Sequence, residues 1–172
     1  MSEPTDTITI RVPKSLKEQL EKTSQKNQST LNNLINQILN QRMQWDEQLN
    51  KMGWLQFEPS TVKQIIEKIS EEDMDEIVTS SKKGVMRAIE FIYGDTKVEN
   101  VTKFIDSWLT ATNLPFKHTE NEDSHKFLVT HDLGLNWSIF CNKVVIAFTE
   151  ALGHKIISFE NKEDSYSTVI RK

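Results

Sequence analysis

The 172 residues include a single cysteine, Cys141, so no disulfide can form within the chain, and such usage fits a reducing compartment. No apolar run approaches the ~18 residues that a membrane-spanning helix needs, and the polar N-terminus does not read as a signal peptide. The expected location is the cytoplasm, away from membranes. Glycine is scarce, with five in all, and none of them builds a phosphate-cradling loop. A paired-cysteine zinc motif is excluded by the cysteine count. Neither an internal repeat nor a low-complexity stretch is present. Basic residues are outnumbered, 21 against 25 acidic, and the net charge of −4 argues against nonspecific coating of nucleic acid.

That charge is unevenly spread. Residues 7–44 hold six basic side chains (Arg11, Lys14, Lys17, Lys22, Lys26, Arg42) against Glu18 and Glu21, a local +4, which leaves −8 for the remainder. A basic N-terminal part beside an acidic one is expected where the first meets phosphate and the second does not.

Residues 7–13 alternate. Ile8, Ile10 and Val12 fall on one face and Thr7, Thr9 and Arg11 on the other, the period of two that marks a half-buried strand. The polar face has neither the acids nor the lysines that usually blunt an exposed edge. No second strand lies nearby in sequence, and a lone strand is not stable in water, so the expected partner is the same strand of a second copy. Pro13 suits a helix entrance, and Ser15 and Glu18 have capping-box spacing. Leu16 and Leu20 mark a first helix. A turn at residues 26–29 follows, with Asn27 tolerant of the left-handed region and Ser29 a good cap. Leu31, Leu34, Ile35, Ile38 and Leu39 stripe a second helix through about residue 44.

A strand, a helix, a polar turn and a second helix within fifty residues resemble the ribbon-helix-helix repressors of the Arc and MetJ type, over about the first quarter of the chain. In that family two strands pair into an antiparallel ribbon that enters the DNA major groove. The resemblance implies base reading by Thr7, Thr9 and Arg11, and phosphate contacts from Lys14, Ser29 and Thr30. It implies a dimer core built from Ile8, Ile10, Val12, Leu34, Ile35 and Ile38. Asn27 stands where the family commonly has glycine, and threonines replace longer amides on the ribbon. The residues agree with this independently: a two-stranded ribbon fits the major groove, and Arg11 can grip guanine through O6 and N7. Helix N-termini with free N–H groups attract phosphate.

The organisation expected is a ribbon-helix-helix module over residues 1–52, a connector over 53–59, and an α+β domain over 60–172. Gly53 should stop the second helix, and the aromatic Trp54 and Phe57 suit a docked connector. Helices follow, capped by Ser60, begun by Ser70, running from Ser81 to Tyr93, and opening at Asp95 or Thr96. Residues 116–119 and 124–131 read as a hairpin around a polar loop. A helix capped by Asn136 comes next, then a second hairpin over 155–160 and 166–170. This order predicts a four-stranded antiparallel sheet with helices on one face.

The second domain offers few chemical motifs. His118, His125, His131 and Cys141 invite comparison with the nickel-responsive ribbon-helix-helix regulators. Their spacing departs from that family's close histidine cluster, so no metal or other cofactor is expected, and His125, His131 and Cys141 stand only as candidates. His131 and Asp132 near Ser138 could suggest a nucleophilic set, but neighbours in a strand point to opposite faces. The stretch reads as a strand-to-helix turn, and no enzyme is expected. Trp108, Trp137, Phe140 and Phe148 read as core, as the lining of a pocket for an apolar effector, or as an oligomer interface.

The function expected is a sequence-specific, DNA-binding transcriptional regulator acting on double-stranded DNA as a homodimer, with a higher oligomer and a small-molecule effector both open. Alternatives are an antitoxin with the same DNA-binding head, and an assembly scaffold that binds no DNA.

Overall fold

The computed structural model describes residues 5–47, 51, 55, 57–112 and 114–172, without the side chains of Gln44 and Trp45. The chain divides into two compact units, residues 1–43 and 44–172. Gly53 and Trp54, where a helix stop and a connector are expected, lie outside the described residues.

In the first unit, residues 5–13 form no strand, which corrects the expectation drawn from their alternation. The physical reason is partnership: a strand exists through ladder hydrogen bonds, and nothing in this unit supplies them. Helix α1 (Lys14–Lys26) starts directly after Pro13, which stands at the cap position without a side-chain bond. Ser15 and Glu18 therefore lie inside the helix and form no capping box. The turn after α1 places Gln28, not Asn27, at positive φ (50°). Thr30, not Ser29, caps α2 (Leu31–Gln41), its hydroxyl accepting from the Asn33 N–H at 3.2 Å. A π-helical segment, Arg42–Asp46, continues α2.

The second unit is mixed α+β. Helix α3 (Pro59–Ile66) is capped by Glu58 rather than Ser60, because Pro59 occupies the first turn and sets the cap one residue earlier. Ser70 caps α4 (Glu71–Tyr93), with three acids in its first turn where the helix dipole favours them. This is one 23-residue helix where the sequence suggests two. It runs through Gly84 because Met74, Val78, Val85, Ala88 and Ile89 keep a single buried stripe. Gly94 ends it at φ 74°. Helix α5 (Val98–Thr112) follows, and Asp95 accepts from the Lys97 N–H just before it.

Strands β1 (Phe116–Glu120) and β2 (Ser124–Thr130) form the first hairpin. Helix α6 (Leu135–Ala151) crosses to the second, β3 (Ile156–Asn161) and β4 (Ser165–Arg171). Gly134 at φ 85°, not Asn136, precedes α6. The sheet is antiparallel throughout, in the order β1-β2-β4-β3, with a bulge in β3 between Ile156 and Ser158.

Register aligns the inward face. His125 lies opposite Ile170, Phe127 opposite Thr168, and Val129 opposite Tyr166, all six of them buried. The alternate residues Lys126, Leu128 and Thr130 are exposed. Helix α6 packs on the inward face, and α4 packs against α6. The core gathers Ile89, Val101, Phe104, Leu109, Phe127 and Phe148, among others. Among the described residues no helix is long and apolar enough to cross a membrane.

Candidate functional site

The first unit carries every residue expected to meet DNA. Thr7, Thr9 and Arg11 are exposed, in a segment that belongs to no sheet. The apolar residues alternating with them are exposed too: Ile8 at 83%, Ile10 at 56% and Val12 at 37%. Lys14 opens α1 with its ammonium 4.0 Å from Glu18, an exposed pair of little energetic weight. Ser29 is half-buried and Thr30 exposed at the mouth of α2. Of the expected dimer core, Leu34 is buried, Ile35 half-buried, and Ile38 exposed at 47%. Leu16 and Leu39 are also exposed. Small though it is, this unit turns most of its large apolar side chains to water, which a self-sufficient fold avoids.

In the second unit, polar groups gather at two places on the inner face. At the β1–β2 end, the Asp106 carboxylate of α5 lies 2.8 Å from His118 Nδ1. His118 Nε2 lies 3.0 Å from His125 Nδ1. The His118 ring also stacks on Phe127, centroids 4.1 Å apart. If His118 is neutral and donates from Nδ1 to the carboxylate, its Nε2 must accept from His125 Nδ1–H. The chain Asp106–His118–His125 then has fixed tautomers. Burial raises the Asp106 pKa, with His118 opposing that shift. Burial lowers His125, while Glu120 opposes and His118 and Lys172 add to the lowering. Glu120 itself is held low by Lys172, 2.8 Å away.

The second place is the turn into α6. Ser138 Oγ lies 2.8 Å from His131 Nε2, and His131 Nδ1 accepts from the Leu133 N–H at 3.1 Å. With Nδ1 accepting, Nε2 carries the proton and donates to Ser138, whose hydroxyl donates to the Lys162 carbonyl at 2.6 Å. A serine nucleophile needs the opposite polarity, with imidazole accepting from the hydroxyl. The pair therefore pins the second hairpin to the turn. Burial lowers the His131 pKa. One helical turn on, Asn142 donates to the Glu160 carbonyl and the Asn161 side chain, and accepts from Thr168.

The candidate metal ligands are not brought together. His125 pairs with His118, His131 pairs with Ser138, and Cys141 lies beside Tyr166, where burial drives its thiol pKa far upward. Among the described residues no three histidine, cysteine or acidic side chains converge as a metal would require. The sequence reading missed the Asp106–His118–His125 chain, which crosses from a helix to two strands. Its one legible trace was that His118 and His125 flank the same hairpin loop. Asn142 was missed as well, standing unmarked inside an apolar stripe.

The second unit also contains a cavity of about 150 Å3 between α4, α5 and α6. No protein-family model matches the chain, and no curated protein is significantly similar to it.

Proposed function

We propose that the chain is a dimeric, sequence-specific DNA-binding regulator of the ribbon-helix-helix kind, acting in the cytoplasm. The observation that carries this reading is the exposure of the apolar Ile8, Ile10 and Val12, which alternate in sequence with the polar Thr7, Thr9 and Arg11, in a segment without a ladder partner. A second copy meets both needs at once. Antiparallel pairing of two such segments satisfies their backbone groups, and the apolar faces cover one another together with Leu16, Ile38 and Leu39. The polar face then presents six side chains, three from each copy, to base edges in the major groove. The N-terminus of α2, capped by Thr30 and adjoining Ser29, faces a phosphate, with Lys14 adding charge.

Selection from a random duplex library followed by sequencing tests this. Recovery of an inverted or tandem repeat is expected, with binding that weakens steeply as salt rises. Arg11→Ala should relax base preference and cost about 1–3 kcal/mol if the guanidinium makes a bidentate guanine contact. A library that emerges unenriched would leave the scaffold reading. The antitoxin reading is disfavoured by the second unit, whose sheet and apolar core are unlike a tail that orders only on binding.

A further inference from the structure

We infer that the second unit is a receptor for a small, uncharged, single-ring aromatic molecule, held in the cavity between α4, α5 and α6. The cavity measures about 150 Å3. Its floor and walls are the buried Val85, Phe104, Cys141, Val144 and Phe148, and half-buried Trp108 and Phe140 stand at its rim with Ser81. Phe104 and Phe148 meet edge to face, centroids 6.5 Å apart and planes at 77°. The inference concerns this unit alone and does not depend on the DNA-binding reading.

Size and lining select the occupant. A water molecule settles in a protein interior only with two to four polar partners. Among the lining residues only Ser81, Cys141 and Trp108 carry side-chain polar atoms, a hydroxyl, a thiol and an indole N–H, and none is charged. Burial keeps that thiol protonated, so it brings no charge to the site. Cavities of about 150 Å3 lined by leucine, isoleucine and phenylalanine are known to stay dry and to take up benzene. Four aromatic rings in the lining favour an aromatic guest through stacked and edge-on contacts. A carboxylate or ammonium on the guest would lose its hydration without gaining a counter-charge. One neutral polar group is tolerated, because Ser81 can meet it at the mouth. The ligand class is therefore benzene, phenol and their near relatives.

The test uses the full chain with benzene, phenol and benzoate as probes, followed by thermal melting and by methyl NMR. Benzene and phenol should raise the melting temperature with dose and shift the Val85 and Val144 methyl resonances, leaving those of Val62 and Val169 in place. Benzoate should do neither at the same concentrations. Val144→Phe, which fills the cavity from its wall, should weaken phenol binding by about tenfold or more. If that variant does not fold, the location of the methyl shifts in the unaltered chain decides the matter. The inference is overturned if neither neutral probe binds at millimolar concentration, if binding leaves Val85 and Val144 unmoved, if benzoate binds as well as phenol, or if a folded Val144→Phe chain binds phenol undiminished.

Discussion

Replacing Ile10 with alanine separates self-association through the N-terminal segment from any other use of it. In the single chain Ile10 is 56% exposed, so somewhat over half of its surface is left for a partner to cover. Fully burying such a side chain is worth about 1.5–3 kcal/mol, and the uncovered share is worth roughly 1–1.5 kcal/mol per copy on the same scale. Two-fold symmetry places the residue in the interface twice. The variant should therefore weaken the dimer by about 2–3 kcal/mol, or roughly 30- to 150-fold in dissociation constant. Sedimentation equilibrium over a range of concentrations reads this directly. Thr9→Ala, on the other face of the same segment, is the control and should leave self-association within about threefold, the scale of an ordinary surface substitution. If Ile10→Ala and Thr9→Ala dimerise alike, the segment is not where two copies meet, and the argument from its exposed face is wrong.

Three further outcomes concern the second unit. Burial holds His125 and His131 below the ordinary imidazole pKa, so on acidification the unfolded chain takes up protons first. Their contribution to stability is full above about pH 6.5 and is lost as the pH falls from there through the depressed folded values. Asp106, raised by burial, acts with the opposite sign in a lower window, returning some stability as the pH falls through its raised value. Urea midpoints should thus drop between pH 7.5 and 5.5, and less steeply in His125→Asn. The two substitutions Gly84→Ala and Gly94→Ala should move thermal stability in opposite directions. A Cβ at mid-helix Gly84 meets nothing within 4 Å, which predicts a gain of about 0.5–1 kcal/mol. Gly94 sits at φ 74°, which predicts a loss of about 1 kcal/mol. Asn142→Leu should cost about 1–3 kcal/mol in urea denaturation, because it strands the buried Thr168 hydroxyl and removes the bonds to the Glu160 carbonyl and the Asn161 side chain.

Much of the second unit was legible because its signals are local. Each hairpin brackets a short polar loop with strand-forming residues, and the strands fall within a residue or two of their expected places. Helix starts were less legible, since several residues near each start were competent caps and geometry chose among them. Pro59 moved one cap back to Glu58, and the positive φ of Gly134 displaced Asn136. Ser81 reads as the start of a separate helix, but the stripe from Met74 to Ile89 carries one helix through it. The N-terminal alternation predicts a strand, yet residues 5–13 form none, because a period of two supplies no ladder partner and none lies in that unit. The Asp106–His118–His125 chain was hidden for a different reason. Twelve residues separate Asp106 from His118, and only the packing of α5 on the sheet makes them neighbours.

β4 is the latest of the four strands in the sequence, yet it lies inside the sheet, bonded to β2 on one side and β3 on the other. Nothing earlier in the chain can stand in for it. A polypeptide that has reached Asn161 owns one finished hairpin, a crossing helix, and a strand that meets the helix but has no ladder partner. During synthesis the sheet cannot close by degrees; it waits for residues 165–171 and then locks along both seams together. The first unit's two helices, by contrast, find each other within residues 1–43, so their mutual contacts are complete well before those of the sheet.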